Sequence, residues 1–291
     1  MNNLKLNILK KYLKPFKKEL LIGAIALLIV NILSVIIPLE VKNIIDQLQD
    51  GFSRNFIISK SLWLIFLATL MGLIRLSSRQ IVFGIGRKVE VKLRQKLFDH
   101  LLIQDPDWVQ KMGSGDIIAR ATSDVENVRR LLGFTVLSLC NIILAYSLTI
   151  PSMFSINKIL TISSLLIFPI ILAIVGLFGG RMVSQRRLQQ EALSKLSDLI
   201  QEDLSGISAI KIYAQESSEY NQFNKFNKAY RNAAIKLART ASTLFPLLQG
   251  ISSISLLLLL ALGTSQLKNG FITIGGLVAL ILYVERLVFP T

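Results

Sequence analysis

The chain has 291 residues and a formal net charge of +15, and 52% of its residues are hydrophobic while 18% are charged. Because soluble domains contain about 45–50% apolar and about 25% charged residues, this composition excludes an ordinary water-soluble domain and indicates a membrane protein. A single cysteine, Cys140, excludes an intrachain disulfide, and a single histidine, His100, cannot build a metal site, so we expect no bound metal.

Long apolar runs define the membrane-crossing elements. An α-helix needs about 20 apolar residues to cross the hydrocarbon core of a bilayer. The runs in this chain are solidly apolar, whereas the strands of a membrane β-barrel alternate apolar and polar residues over about 10 positions. We therefore predict an all-α membrane protein with six transmembrane helices, at about residues 20–41, 56–80, 131–154, 159–180, 240–267 and 270–290.

Basic residues are concentrated on one side of these spans. Six Lys or Arg lie in residues 1–20, eleven in residues 75–130 and ten in residues 181–239. Since cytoplasmic loops carry an excess of Lys and Arg, we expect a multi-pass protein of the plasma (inner) membrane. Its N-terminus and its long hairpins, at about residues 81–130 and 181–239, would be cytoplasmic. The positive net charge is explained by basic residues that fix the membrane orientation and attract the lipid bilayer. No nucleic-acid partner is therefore expected.

The first long connection has the pattern of a helical hairpin. Its descending arm has apolar residues at every fourth position, namely Ile85, Val89, Leu93, Leu97 and Leu101. This spacing places them on one face of a helix. After a glycine-rich turn, the ascending arm has a second apolar stripe, formed by Ile117, Ala121, Val125, Val128 and Leu132. Ser123 and Glu126 have the spacing of a capping box, which predicts that a short helix at residues 115–122 is separated from the long ascending helix.

The second long connection repeats this plan. Apolar residues descend from Leu193 to Ile210 and aromatic residues ascend from Tyr220 to Tyr230, with a predicted tip between them. Helical arms of 25–30 residues would carry both tips roughly 40 Å from the membrane. We expect a membrane protein with such arms to bind a partner at their ends.

Motifs at both tips carry a family resemblance. Residues 115–125 have the sequence GDIIARATSDV, similar to the pattern G-D-L-x-x-R-x-T-x-D-V, and residues 201–207 and 210–216 have the sequences QEDLSGI and IKIYAQE. Phe223 and Asn227 fit a later F-x-x-x-N. In order and spacing, these motifs resemble the transmembrane domain of type I (type IV fold) ATP-binding-cassette (ABC) exporters, especially the multidrug- and lipid-exporter-like subgroup. The resemblance covers nearly the whole chain.

The resemblance implies two coupling helices that dock on nucleotide-binding domains. The first would present Gly115, Asp116, Ile117, Arg120, Thr122 and Asp124. The second, at about residues 213–218, would present Tyr213, Ala214, Gln215 and Glu216. The resemblance also implies a substrate pathway that works by alternating access and a second transmembrane half, in a homodimer or a heterodimer.

The domain that would hydrolyse ATP is missing from this sequence. The sequence contains no G-x-x-x-x-G-K-[ST] phosphate-binding loop, so we assign residues 1–291 to one transmembrane domain that binds no cofactor and has no catalytic residues. By resemblance, ATP and Mg²⁺ would bind to a nucleotide-binding domain, either fused beyond Thr291 or separate. Because the sequence stops beside Pro290, close to the sixth span, we expect a truncation before that domain.

Six residues inside the spans are candidate substrate-pathway positions, namely Asn141, Tyr146, Gln249, Tyr283, Glu285 and Arg286. Intramembrane ionisable residues usually face a cavity or a partner, but Glu285 and Arg286 could also mark the membrane interface or pair structurally. The other candidates could instead form helix–helix hydrogen bonds. Arg75 and Arg79, where the second span leaves its apolar run, are either interfacial anchors or contacts for an anionic substrate.

Two other classes of function compete with an ATP-driven exporter. An ion-gradient-driven secondary transporter tends to carry acidic residues near the bilayer midplane, whereas the centres of four predicted spans are uncharged. A motor-less structural or regulatory membrane protein would keep the fold without a nucleotide-binding partner. Transport that survives ATP depletion would favour the first alternative.

Overall fold

The computed structural model describes residues 12–49, 51 and 53–288, and within them the secondary structure is helical, without β-strands. A 3₁₀ turn at Lys14–Phe16 precedes the first long helix. Nine helices follow within the described residues: α1 (Lys17–Gln49), α2 (Arg54–Leu101), α3 (Pro106–Met112), α4 (Ser114–Ile156), α5 (Lys158–Leu165), α6 (Phe168–Ser205), α7 (Ile207–Ile212), α8 (Glu216–Lys268) and α9 (Ile274–Val288).

In the part of the chain that the structure describes, five helical segments are long and apolar enough to cross a membrane: Lys14–Leu48, Arg54–Leu101, Ser114–Ile156, Lys158–Ser205 and Glu216–Lys268. They contain the first five predicted spans, and most residues in their apolar windows are not buried within the chain, as expected for helices that contact lipid. The predicted sixth span at 270–290 contains α9, which has 15 residues. Residues 289–291, at the end of that span, lie outside the described residues. The number of six spans therefore stays a prediction.

The chain divides into two compact units, one made of residues 1–161 and 260–291 and the other of residues 162–259. In the first unit, α1 packs against α2, α4 and α9. Its buried residues include Met153 on α4 and Leu280 on α9, both with 0% exposure. The second unit contains the second long hairpin, in which Leu196 and Leu199 are buried.

The predicted fourth span is not one uninterrupted helix. α5 begins after Asn157, whose Oδ1 accepts a hydrogen bond from the Leu160 amide at 3.0 Å. A turn at residues 166–167 then separates α5 from α6. The cause is Pro169, which lacks the amide hydrogen that would bond to the carbonyl four residues earlier and whose ring crowds that carbonyl.

The predicted capping box at Ser123 and Glu126 is wrong. Ser123 lies inside a π-helical turn, Arg120–Asp124, and Asp124 has helical angles (φ −70°, ψ −41°) without a side-chain cap. A capping residue needs extended backbone, so no new helix begins here. Glu126 bonds to Arg130 at 2.9 Å instead of reaching back along the chain. The first tip is therefore continuous with α4, and residues 115–122 are not a separate helix.

The predicted helix at residues 213–218 is also wrong, because it straddles a turn. α7 ends at Ile212, Ala214 has a left-handed backbone (φ +49°), and α8 begins at Glu216. The Gln215 amide donates to the Ile210 carbonyl at 2.9 Å, which is the closing bond of a Schellman motif at a helix C-terminus. Tyr213, Ala214 and Gln215 thus form the turn between two helices.

The N-terminus of α9 is held by the C-terminal part of α1. Asp46 Oδ1 accepts from the Gly275 amide at 3.0 Å, and Asp46 Oδ2 accepts from the Thr273 hydroxyl at 2.9 Å. The carboxylate satisfies a free amide and lies at the positive end of the helix dipole. A Cβ on Gly275 would overlap the Lys42 carbonyl oxygen and approach Asp46 Oδ1 to 2.6 Å. α1 and α9 can therefore approach this closely only because residue 275 is glycine.

We expect Gly275→Ala to destabilise the protein by about 1–3 kcal/mol, because the new methyl group must push α9 away from α1. The measurement is the midpoint of thermal unfolding in detergent. Gly72→Ala is the matched control, since a Cβ at Gly72 meets nothing within 4 Å and alanine favours a helix more than glycine does. Equal stability of Gly275→Ala and the control would contradict the close packing of α1 and α9.

Candidate functional site

A polar network lies inside the apolar part of the first unit. Asn31 has 1% exposure and lies eleven residues into the uncharged run 20–39, a depth of about 16 Å along the helix axis. Its Nδ2 donates to the Leu27 carbonyl at 2.9 Å and to Asn141 Oδ1 at 3.1 Å. Arg286 Nη2 donates to Asn31 Oδ1 at 2.8 Å. One buried asparagine therefore joins α1, α4 and α9.

Two tyrosines add hydrogen bonds between the same helices. The Tyr283 hydroxyl donates to the Val35 carbonyl at 2.6 Å, and the Tyr146 hydroxyl donates to the Leu287 carbonyl at 2.9 Å. Tyr283 itself has 0% exposure. In a bilayer, such bonds satisfy groups that have no water available, and here they fix the position of α9 against both α1 and α4.

The structure brings together four of the six predicted pathway residues: Asn141, Tyr146, Tyr283 and Arg286. Glu285 lies beside them on α9, but its side chain is exposed. Gln249 is exposed on α8 and belongs to the second unit. The sequence analysis missed Asn31, the centre of the network, and its only signal was an amide within the apolar run 20–39.

The first hairpin tip presents a mostly polar surface. Asp116 and Arg120 form an exposed ion pair of 2.8 Å one helical turn apart, and Gly115, Thr122 and Asp124 are exposed as well. Ile117 is half-buried, whereas Ile118 is 61% exposed. The side of the tip that faces the chain lines an apolar pocket with Leu97, Leu101, Trp108, Met112, Ile117 and Ala121. The apolar side of the tip therefore faces α2 and α3 across this pocket.

Ion pairs join the two arms of the first hairpin. Glu90 on α2 bonds to Arg129 on α4 at 3.1 Å and to Arg94 at 2.8 Å. Arg94 Nε also donates to the Ala121 carbonyl at 3.2 Å. Hydrogen bonds from Arg130, and then from Arg129, hold the pKa of Glu126 below its usual value, so this carboxylate stays charged at neutral pH. These charges connect α2 to the ascending arm just behind the tip.

The N-terminal segment packs against the base of the same hairpin. Tyr12, Phe16 and other partly buried residues surround a core formed by Ile85, Val89 and Leu132. Lys92 lies over the Phe16 ring at 4.7 Å. The descending and ascending stripes predicted from the sequence are thus confirmed as the inner face of this hairpin.

The second tip is more exposed than the first. Tyr213 is 72% exposed, and the Gln215 side chain donates to the Tyr213 carbonyl at 3.1 Å. Lys211 and Glu216 form an ion pair of 3.0 Å across the turn. A hydrogen bond from its own backbone amide, followed by Lys211, lowers the pKa of Glu216. Ala214 needs the left-handed backbone for this turn, and glycine would adopt it without steric cost.

Known proteins are similar to this chain in sequence. The sequence pattern of the ABC transporter transmembrane region matches residues 20–291. The multidrug resistance-like ATP-binding protein MdlA of Buchnera aphidicola subsp. Baizongia pistaciae is 30% identical, over 97% of this chain and 49% of that protein. The protein of the same name from Escherichia coli (strain K12) is 26% identical, over 92% of this chain and 46% of that protein. The probable multidrug resistance ABC transporter ATP-binding/permease protein YheI of Bacillus subtilis (strain 168) is 26% identical, over 98% and 49%.

The chain belongs to the family of ABC transporter transmembrane regions, because the family pattern covers nearly all of it. The resemblance to type I exporters predicted from the tip motifs is confirmed, and so is the all-α membrane fold. The chain spans about half the length of the curated relatives that it matches.

We expect Asn31→Leu to lower the free energy of unfolding by about 1–3 kcal/mol, because it leaves the part-buried Arg286 Nη2 without its acceptor. Thermal unfolding in detergent is the measurement. Ser34→Ala on the same helix is the control, since the Ser34 hydroxyl bonds only to carbonyls of its own helix, Val30 and Asn31. If both variants were equally stable, the network would not hold α1, α4 and α9 together.

Proposed function

We propose that this chain is the membrane-spanning half of an ATP-driven exporter, in which two cytoplasmic tips couple its helices to nucleotide-binding domains. The observation that carries the proposal is the continuity of the first tip with a membrane span. α2 has 48 residues, and at 1.5 Å per residue it is about 72 Å long. The hydrocarbon core is about 30 Å thick, so about 40 Å of this helix extends beyond it. The first tip, at the end of this arm, is in turn continuous with α4.

Mechanical coupling requires that a tip move as one body with its span. The ion pairs of Glu90 and the buried cluster of Ile85, Val89 and Leu132 support such rigid behaviour in the first hairpin. A ligand shifts a two-state equilibrium only through its different affinity for the two states. We propose that nucleotide-binding domains, whose positions change with ATP, supply that difference and drive alternating access as a rigid-body motion.

The relatives of this chain and its exposed apolar residues support the proposed partners. The names of the relatives include "ATP-binding", and these proteins are about twice as long as this chain. Both facts support a nucleotide-binding domain that carries ATP and Mg²⁺, fused or separate. A second transmembrane half, identical or related, would cover apolar residues of the second hairpin that are open in this chain. Leu204 is 69% exposed and Ile207 is 48% exposed. Lipid would cover the remaining apolar surface.

The proposed location of the protein is the plasma (inner) membrane, with the N-terminus and both hairpins on the cytoplasmic side. The concentration of Lys and Arg in those segments supports this orientation. For the substrate pathway, we keep Asn141, Tyr146, Tyr283 and Arg286 as one candidate cluster. Glu285 and Gln249 are exposed and stay candidates as separate positions.

A substitution at each tip tests the coupling. We expect Ile118→Asp and Ile212→Asp to reduce substrate-stimulated ATP hydrolysis by tenfold or more, because a charge on an exposed apolar tip residue disfavours docking. Ile118 and Ile212 are 61% and 77% exposed, so folding should be unaffected. The measurement uses the transporter assembled with its nucleotide-binding domains in nanodiscs.

Val91→Asp is the matched control, because Val91 is 63% exposed on the α2 arm, away from the tip. We expect it to leave stimulated hydrolysis unchanged. Equal activity of the tip variants and the control would contradict the assignment of the tips. Transport that continued after ATP depletion, with the ion gradient maintained, would instead indicate a secondary transporter.

A further inference from the structure

A wide helical turn separates the first tip from the rest of α4. Between Arg120 and Asp124 the helix is π-helical, and the Val125 amide donates to the Arg120 carbonyl, five residues earlier instead of four. A π turn holds one residue more than an α-helical turn, and such turns are frequent at functional sites. Residues 114–119, on the tip side of the turn, are therefore joined to the third span through one extra residue.

Arg94 on α2 stabilises this turn. Because the Val125 amide bonds five residues back and α-helical bonding resumes after it, the Ala121 carbonyl is passed over by the helix. Arg94 Nε donates to that carbonyl at 3.2 Å, and Arg94 Nη2 bonds to Glu90 at 2.8 Å. A side chain of the neighbouring arm thus supplies the hydrogen bond that the carbonyl does not receive from its own helix.

The tip contains two consecutive isoleucines, of which one faces the hairpin. Ile117 is half-buried and lines the apolar pocket of about 230 Å³ between the tip, α2 and α3, whereas Ile118 is 61% exposed. Adjacent residues of an α-helix point about 100° apart. If the π turn became α-helical, residues 114–119 would rotate by about 100° and advance by about 1.5 Å. Ile118 would then lie where Ile117 lies now.

The connection before the tip has room for this movement. Gly113 has a positive φ of 79°, and a Cβ at either Gly113 or Gly115 would meet nothing within 4 Å. Glycine adopts a wide range of backbone angles without steric cost. A shift of about 1.5 Å, the rise of one helical residue, can therefore be absorbed between α3 and the tip while α3 stays in place.

We infer that the first tip is a register switch with two states. In the first state the π turn is intact, Ile117 faces the pocket, and Arg94 bonds to the Ala121 carbonyl. In the second state the turn is α-helical, Ile118 occupies the pocket, and the bond from Arg94 is lost. An isoleucine fills the pocket in both states, so both are compatible with the same hairpin core.

The switch determines whether the tip moves with its arm. In the first state Arg94 ties the tip to α2, and Ile118 is exposed. A nucleotide-binding domain that contacts the exposed Ile118 therefore favours the first state, because a ligand shifts an equilibrium toward the state that it binds better. This consequence rests on the proposed function, whereas the two registers are a property of this chain alone.

Disulfide formation measures which isoleucine faces the pocket. Leu101 on α2 lines the same pocket, so Leu101→Cys is combined with Ile117→Cys, Ile118→Cys or Gly115→Cys. Cys140→Ser removes the native thiol from all three proteins. The assembled transporter in nanodiscs without ATP is oxidised briefly, and the linked peptides are quantified by mass spectrometry. We expect rapid linkage at position 117, slower linkage at 118 and none at 115, which is exposed.

Loss of the bond from Arg94 should favour the second state. We expect Arg94→Met to raise the ratio of linkage at position 118 to linkage at position 117 about tenfold or more, as is typical of a lost hydrogen bond from a charged group. Lys88→Met is the control, because it removes an ion pair with Glu19 at the base of the same hairpin. It should leave the ratio unchanged.

Deletion of Ser123 removes the extra residue. Ser123 is exposed inside the π turn, so the shortened helix is α-helical throughout and keeps Ile117 in the pocket. We expect linkage at position 117 to persist and linkage at 118 to vanish in this variant, also in combination with Arg94→Met. Deletion of Val128, in the α-helical part of the same arm, should instead lower the unfolding midpoint, because it rotates the preceding residues by about 100° relative to the span.

Two results would overturn the switch. Linkage at position 118 that stayed at the level of position 115, with Arg94 present and in Arg94→Met, would exclude the second register. Equal linkage at positions 115, 117 and 118 would indicate a frayed tip instead of two registers. The measurement needs neither ATP nor substrate. Unchanged stimulated hydrolysis in Ile118→Asp would therefore contradict coupling while leaving the register switch intact.

Discussion

The structure depends on the absence of water inside the bilayer. Polar side chains at the depth of Asn31 have no solvent to bond with, so they must find partners on neighbouring helices. Asn31 does so twice, through Asn141 and Arg286, and it also bonds to the Leu27 carbonyl of its own helix. These bonds specify which faces of α1, α4 and α9 meet. Apolar packing alone specifies those faces only weakly, because the surrounding lipid is as apolar as a leucine side chain.

The same constraint explains why α9 is held at two levels. Asp46 binds the amide end of α9, and the network around Asn31 binds the helix about three turns further on. Both sets of bonds connect α9 to α1. A helix fixed at two levels moves as part of a rigid group, which is the behaviour that the proposed alternating access would require of it.

Outside the membrane a different set of forces acts. The first hairpin is held by buried aliphatic residues, including Ile85 and Val89, and by the ion pairs of Glu90. Surface ion pairs contribute little individually, about 0–1 kcal/mol, but Glu90 is largely enclosed and joins two arginines. The arm is thereby stiff without being embedded in lipid, as the proposed coupling of tip to span requires.

The sequence by itself determined the membrane class, the first five spans, the helical stripes of the first hairpin and the family, because these depend on run length, period and motif order. Helix boundaries at the tips needed the tertiary structure. Ser123 and Glu126 have the spacing of a cap, yet α4 continues through them since the hairpin core packs Val125 and Leu132 on one unbroken helix. Only tertiary contact could reveal Asn31, because its partners are 110 and 255 residues away in the chain. Local sequence sets periodicity, whereas pairing of distant polar groups is decided by which helices meet.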